Sequence, residues 1–510
     1  MPTSPAPPPT DPPPASGVPA GPPPAGTPPA RPAFLVVFPS IMLPMFLAVV
    51  DQTIVATALP AIAASTGAIE RAPWIVVAYL IAATVAAPLY GRLGDSFGRR
   101  RMLQIALVVF LVTSLLCAAA PTIELLTVAR VLQGLGGGGL MTLSQALIGE
   151  AVPPRERARY QGWIATVAVT ANSFGPVVGG LLTEHFGWRA IFLVNLPVAL
   201  VALWLARRLP AGAAQRLPWR ADPGGLVLFA VLVTTTLLSL EQVQRANVAA
   251  LPAAGALLAA AALALVLLIV HERRTPSPLI PLALLRQPAI WRSDAMAACH
   301  GAALVSLITF LPVFLQVVRG ASPSATGLLL VPLTIGIGTG SLLTGRLVAR
   351  TGRTTVFPAV GLVLATVNLL VLAMWADMLA MPALAALMLW NGLCMGTVMG
   401  VVQVMVQSAA GPLRLGEAAA SVQFSRSIGA GLGTALVATV LFGALALRDP
   451  EAVQVLSALV HRTPATGGGT IASAVVQAEI RDAFRAVFVA IAAFSTVGFV
   501  LALTNPLRRI

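Results

Sequence analysis

Apolar runs of about twenty residues recur along this chain, separated by short stretches that carry arginine. The pattern predicts membrane-crossing helices, because about 20 mostly apolar residues at 1.5 Å rise each span a hydrocarbon core. Such runs fall at 34–63, 73–91, 102–120, 123–149, 158–182 and 189–206, then at 224–241 and 250–270, and finally at 289–318, 322–347, 356–376, 380–408, 418–446 and 483–504. Fourteen spans follow, and the expected fold class is all-α and integral to the membrane.

Composition agrees with that reading. Of 510 residues, 57% are hydrophobic and 10% charged, and the mean hydropathy is +0.88, so the lipid bilayer is the first expected partner. A net charge of +14 would suggest nucleic acid in a soluble chain. Here, with the N-terminus inside, 22 of the 32 basic residues fall on cytoplasmic connections or tails, among them Arg92, Arg99–Arg101, Arg155, Arg157, Arg159, Arg273, Arg274 and Arg350. The positive-inside rule therefore places both termini in the cytoplasm and accounts for the charge with no nucleic-acid partner. All the basic residues are arginine, a bias of GC-rich genomes, and a bacterial cytoplasmic (inner) membrane is the expected location. Cys117, Cys299 and Cys394 lie inside apolar runs and read as small buried hydrophobes.

Residues 1–33 carry PAPPP, PPP and GPPPAG, which cannot build a core and predict an extended or disordered cytoplasmic tail. A second polar stretch, 447–482, lies outside and has no readable role.

The chain repeats itself. GRLGDSFGRRR at 91–101 is matched by GRLVARTGRTT at 345–355, an offset of 254, and the same offset sets Gly175 on Gly429 and Gly179 on Gly433. Two parallel six-span halves, 34–207 and 289–510, are therefore expected, with 208–288 as a linker holding two inserted spans. Halves of this kind place a substrate site near the membrane midplane and alternate access by rocking. The repeat marks Gly345, Arg346, Gly352, Arg353, Arg426, Gly429 and Gly433 in the second half. Asp51 carried forward by 254 lands on Val305, and Arg130 lands on Leu384, so these deep ionisable groups belong to the first half alone.

Asp51 stands in the middle of its apolar run with no basic neighbour in sequence. A charge at the bilayer centre costs about 2.5–3.5 kcal/mol on insertion scales and marks a functional site by default. At 1.5 Å per residue Asp51 lies roughly 24–26 Å along its span, and Arg130 about 10 Å below the outer end of the fourth. Those depths are compatible, with Gln133 one turn from Arg130 on nearly the same face. Whether the groups meet or are satisfied separately stays open. Glu150, Glu241, Asp294 and Glu417 lie near span ends and read as interfacial carboxylates, and His300 as a histidine satisfied by a carbonyl.

Over everything after the proline-rich tail, the residues resemble the fourteen-span drug:proton antiporter branch of the major facilitator superfamily, the multidrug resistance efflux type. Gly91, Asp95, Gly98, Arg99 and Arg100 match the superfamily's cytoplasmic G-x-x-x-D-x-x-G-R-K/R loop, and the resemblance implies a gating role for them. Arg130, Gln133 and Gly134 match the fourth-span R-x-x-Q-G pattern, whose arginine the resemblance implicates in proton transfer. Gly175, Pro176, Gly179 and Gly180 match the fifth-span antiporter motif, and DQTIVATALP at 51–60 matches the first-span signature, with Ala56 where relatives commonly carry asparagine. The resemblance implies a major facilitator fold, proton coupling through Asp51 and Arg130, and Thr53 and Gln133 as cavity candidates. The tenth span has no acid, which argues against dication export.

The function expected is therefore proton-coupled export of hydrophobic or amphiphilic small molecules by alternating access. A dedicated exporter of an endogenous metabolite shares every motif, and a membrane sensor or scaffold is the reading outside transport. An enzyme is not indicated: HExxH, GxSxG and GxxxxGKS/T are absent, and the four histidines are scattered. No cofactor or metal is expected. The partners are lipid, protons and a small-molecule substrate, with any outer-membrane or periplasmic adaptor left open.

Overall fold

A computed structural model describes residues 31–67, 71–209, 220–244, 251–276, 278–279, 282–448 and 474–510. The proline-rich tail up to residue 30 and most of the 447–482 stretch lie outside the described residues. Helices run over every predicted apolar stretch: α1 (Arg31–Thr66), α2 (Pro73–Phe97), α3 (Arg99–Ala119), α4 (Ile123–Ala151), α5 (Pro154–Phe186), the short α6 (Ala190–Leu193) and α7 (Asn195–Ala206). After them come α8 (Pro223–Gln244), α9 (Leu251–Arg274), α10 (Leu282–Leu285), α11 (Pro288–Val317), α12 (Pro323–Thr351), α13 (Val356–Trp375), α14 (Met381–Gly396), α15 (Met399–Ala410), α16 (Leu415–Arg448) and α17 (Ala474–Thr504). Among the described residues, eleven helices are long and apolar enough to cross a membrane, and Ala190–Ala206 and Pro223–Ser239 are shorter apolar helices. α4 is long enough, but its glycines, glutamines and Arg130 dilute its apolarity. Among the described residues, length and hydropathy alone thus identify eleven of the fourteen expected spans.

Helices are the only spanning element an open chain can use, since lipid offers backbone groups no partner. Prolines inside α1, α2, α5, α11 and α12 are tolerated on that account. The long helices expose large apolar side chains, the surface that lipid covers. α4 shows this clearly, with Leu125, Val128 and Leu132 exposed and Arg130 and Gln133 fully buried.

α1–α5 and α7 form one bundle, and α11–α17 the other. Small residues set the helix spacing. Gly134 and Gly138 lie against Tyr79, Ala82 and Ala83 of α2, while Gly136 and Gly139 lie against Phe110 and Ala106 of α3, so the glycine-rich stretch of α4 packs two neighbours at once. Of the inserted pair, α8 lies against both α2 and α16, and Phe229 meets Phe424 with the rings tilted by 52° and 4.8 Å between centroids.

The internal repeat is visible in these contacts, and it corrects the uniform offset. Gly175 and Gly179 of α5 face Thr53 and Thr57 of α1, whereas Gly429 and Gly433 of α16 face Ala298 and Ala302 of α11. The first helices of the halves therefore register 245 residues apart. In the same way Gly134 and Gly138 correspond to Gly392 and Gly396, which face Leu333 and Ile337 of α12. Asp51 thus corresponds to Met296 and Arg130 to Met388, in place of Val305 and Leu384, and Gln133 corresponds to Asn391. Connections of unequal length shift the register between helices. Both methionines are buried, at 1% and 0% exposure, so the second half carries apolar side chains at both positions.

The tight contacts between halves lie at the cytoplasmic ends or at mid-depth: Gly91 on Gly416, Gly149 on Gln407, Gly345 on Ala158, Gly162 on Leu342, and Gly338 facing Val169. Gln407 Nε2 also donates to the Gln145 carbonyl at 2.9 Å. Beyond mid-depth, Phe174, Val177 and Phe186 of α5 and Leu328 of α12 are exposed. The halves are closed toward the cytoplasm.

Candidate functional site

Asp51 and Arg130 meet. Both side chains are fully buried, and Arg130 Nη1 donates to Asp51 Oδ2 at 2.5 Å. Gln133 Nε2 and Asn195 Nδ2 donate to Asp51 Oδ1 at 3.2 and 2.7 Å, and both amides also donate to Ser114 Oγ, at 3.0 and 3.1 Å. Arg130 Nη1 donates a second bond to Gln133 Oε1 at 2.7 Å and its Nε donates to the Ile75 carbonyl at 3.3 Å. Its guanidinium lies over the Tyr79 ring, 4.2 Å from the centroid, and Nη2 has no hydrogen-bond partner. All three groups around the carboxylate are donors, the set an ionised acid requires. Removing one partner of such a buried pair leaves an uncompensated charge, so a change at either group must be accompanied by a rearrangement around the other.

Asn195 and Ser114 were not singled out from sequence. Their signal is a polar side chain inside an apolar run, which is too common to select a site. The two cavity candidates stand elsewhere in this conformation. Gln133 belongs to the buried Asp51 network, and Thr53 Oγ1 donates to the Val50 carbonyl at 2.9 Å and sits against Gly175 at the α1–α5 contact. Gly175 and Gly179 make the close packing expected of the fifth-span motif. A Cβ at Gly180 would meet nothing within 4 Å, and Pro176 is exposed on the same helix.

At the cytoplasmic end of α2 a second constellation joins the halves. Asp95 accepts from Arg99 Nε and Nη2 at 2.9 and 2.7 Å, and across the boundary from the backbone amides of Gly416 and Glu417 at 3.0 Å. The carboxylate of one half thus caps the N-terminus of α16 in the other, where the free amides and helix dipole favour an anion. Arg99 also pairs with Glu150 at 2.9 Å and donates to the Pro412 carbonyl at 3.0 Å. Gly91 is required for the approach, since a Cβ there would lie 2.5 Å from the Gly416 carbonyl oxygen. Gly98 adopts φ 99° to turn α2 into α3, a conformation glycine alone accepts readily. Arg100 does not join this cluster. It donates to the Arg207 carbonyl at 2.5 Å, within the first half.

The repeat copy is built differently. Gly345 lies against Ala158 of α5, and Gly352, at φ 67°, turns the chain after α12. Ala349 stands where Asp95 stands in the first half, Arg346 is exposed, and Arg353 forms a backbone bridge with Arg509. Arg426 corresponds to none of the residues of that cluster; it is half-buried on α16, and its Nε has no hydrogen-bond partner.

Two sets of buried polar groups in helices that pack as paired bundles describe a membrane transporter, and comparison with known proteins places it. Residues 41–434 match the Major Facilitator Superfamily model, and the chain belongs to that family. It is 33% identical over 478 residues to an uncharacterised MFS-type transporter of Mycobacterium tuberculosis, covering 92% of this chain and 69% of that one. The multidrug transporter protein MdtP of Bacillus subtilis is 30% identical over 402 residues, 79% of this chain and 74% of the relative. Among solved structures, the E. coli fucose:proton symporter FucP superposes with a TM-score of 0.62 at 13% identity, over 93% of this chain and 99% of that one. The protein is a multi-pass membrane transporter of the major facilitator fold with multidrug efflux relatives, and not an enzyme.

Proposed function

We propose that this transporter is a proton-coupled exporter of hydrophobic or amphiphilic small molecules, working by alternating access in a bacterial cytoplasmic membrane. The observation that carries the reading is the fully buried Asp51, held by Arg130, Gln133 and Asn195. A proton arriving at Asp51 removes one member of an ion pair and weakens the acceptor of two amides, so protonation and the packing of α1 against α4 are one equilibrium. Each proton moving inward brings about 2.3 kcal/mol per 100 mV of membrane potential. Coupled to an outward movement of substrate, that drives export.

The gate supplies the other half of the cycle. Asp95 on α16 holds the cytoplasmic side closed, which leaves Asp51 to exchange its proton through the opposite side. Multidrug relatives support efflux of varied amphiphiles. The test is accumulation of a fluorescent amphiphile by energised inverted vesicles that carry the protein. Uptake that collapses when nigericin removes the pH gradient supports the reading; uptake indifferent to the gradient contradicts it.

A further inference from the structure

Past α17 the chain folds back onto the cytoplasmic face. Asn505 Nδ2 donates to the Ala289 carbonyl at 3.2 Å and to Ser293 Oγ at 3.0 Å, and its Oδ1 accepts from the Leu507 amide at 3.0 Å. The residues that follow lie antiparallel to the turn between α12 and α13. There the Thr354 amide donates to the Arg508 carbonyl at 3.0 Å, the Ile510 amide donates to the Gly352 carbonyl at 2.9 Å, and Arg353 bridges to Arg509. Thr354, fully buried, also donates through Oγ1 to the Leu507 carbonyl. These bonds all lie within the second half, but a further one leaves it: Arg155 Nε, at the start of α5 in the first half, donates to the Ile510 carbonyl at 3.1 Å. Leu507 and Ile510 are half-buried and pack on a cluster that joins Ala158 of α5 to Val348 of α12 and to Val401, Val404 and Met405 of α15.

Ordering such a segment costs backbone entropy, which its docked contacts must offset. Its place explains what those contacts do. The cytoplasmic closure has two seams, α2 against α16 and α5 against α12. Asp95 spans the first with a carboxylate, whereas Ala349 stands at the matching position of the second. Gly345 brings α12 onto the Ala158 carbonyl, and the Ile510 carbonyl supplies an acceptor to Arg155 beside that contact. We propose that residues 505–510 are a strap that closes the α5–α12 seam, carried by the second half and engaged with Arg155 and Ala158 of the first only while the cytoplasmic side is shut. Opening the seam parts Arg155 from the Ile510 carbonyl and bares Leu507 and Ile510 to water, so the strap favours the closed state through contacts that the open state lacks. Arg155 is exposed, and an exposed charge contributes little alone; the apolar contact adds to it. The inference rests on the alternating access of the proposed function and not on which residue carries the proton.

The test uses the full chain in proteoliposomes, with spin labels at Arg159→Cys on α5 and Arg350→Cys on α12, both exposed, in a background without Cys117, Cys299 and Cys394. Removing Leu507–Ile510 should raise the ratio of open to closed population roughly three- to tenfold, the size of one exposed charge-assisted bond plus a small apolar contact. Arg155→Ala leaves every bond within the second half in place and should raise the ratio roughly 1.5- to 5-fold. Added to the truncation, it should change the ratio by less than about twofold, because both remove the same bond. The truncation should act by the same factor in Asp51→Asn, so the proton-coupling reading can fail without this one. A reducible cross-link between Arg155→Cys and Ile510→Cys should halt substrate exchange until it is cut. Distance distributions unchanged by both the truncation and Arg155→Ala, effects of the two that multiply in full, or exchange indifferent to the cross-link would overturn the proposal.

Discussion

Replacing Asp95 by asparagine should open the cytoplasmic gate without touching the buried Asp51 network. The carboxylate accepts from two backbone amides of the opposite half, both at 3.0 Å, while its side chain is fully buried. Hydrogen bonds to an ionised group contribute about 1.5–3 kcal/mol each, against about 0.5–1.5 for neutral ones. Asparagine keeps one acceptor but loses the charge and the second oxygen, so the closed state should lose about 1–3 kcal/mol relative to the open one. That is roughly a 5- to 150-fold change in the ratio of the two states. Spin labels at Arg101→Cys and Leu413→Cys, exposed on either side of the gate, report the ratio by pulsed electron resonance in a background without Cys117, Cys299 and Cys394. Asp95→Asn should move population from the short distance to a longer one, and equilibrium substrate affinity should stay within a few fold. An unchanged distance distribution would refute the cross-half cap as the element that holds the gate.

Other outcomes follow from single contacts. Gly175→Val should destabilise by about 1–3 kcal/mol through overpacking against Thr53 and depress transport, with partial recovery when Thr53→Ala is added; Gly180→Ala, with open space around it, should leave thermal unfolding unchanged. Gly98→Ala, forced to a positive φ of 99°, should cost about 1–3 kcal/mol, measured as a lowered unfolding temperature, and a neutral result would contradict the strain argument. Met296→Leu and Met388→Leu should cost less than about 1.5 kcal/mol each as volume-conserving swaps and leave the pH dependence of transport intact, since the second half holds no acid or base at those positions. Asp222 caps α8 through the Gly225 amide at 2.9 Å and pairs with His271 at 2.7 Å. Burial pushes its carboxyl up, but the Gly225 amide and His271 outweigh that and hold it below the usual 3.8. The cap's contribution should therefore be complete at neutral pH and lost as pH falls below that value, read as detachment of α8 by hydrogen exchange.

The helices were legible because membrane spans declare themselves by composition, and their ends matched to within a few residues at most boundaries. α17 is an exception, beginning at Ala474 where the apolar run begins at 483, because Glu479, Arg481, Asp482 and Arg485 interrupt hydropathy without interrupting the helix. Depth arithmetic put Asp51 and Arg130 at one level, but only side-chain geometry could show that they touch and that Asn195 and Ser114 complete the network. Asp95 was legible as a motif residue, while its partners were not, because they are backbone amides of Gly416 and Glu417 and carry no sequence signature. The repeat was legible as a pattern and misplaced in register, since a gap-free offset cannot follow connections of unequal length. Glu417 read as an interfacial carboxylate, and the structure half-buries it in the first turn of α16, a burial that no local pattern encodes.

The central claim is that Asp51 carries the proton that drives export. Asp51→Asn keeps the size of the side chain and can still accept from Arg130, but it cannot take up and release a proton. In proteoliposomes loaded with a pH-sensitive dye, wild-type protein should move protons in response to substrate and accumulate substrate against its gradient when a pH difference is imposed. Asp51→Asn should abolish both, while substrate exchange between compartments at equal pH persists. Uphill, pH-driven accumulation retained by Asp51→Asn would contradict the account and move the coupling site elsewhere.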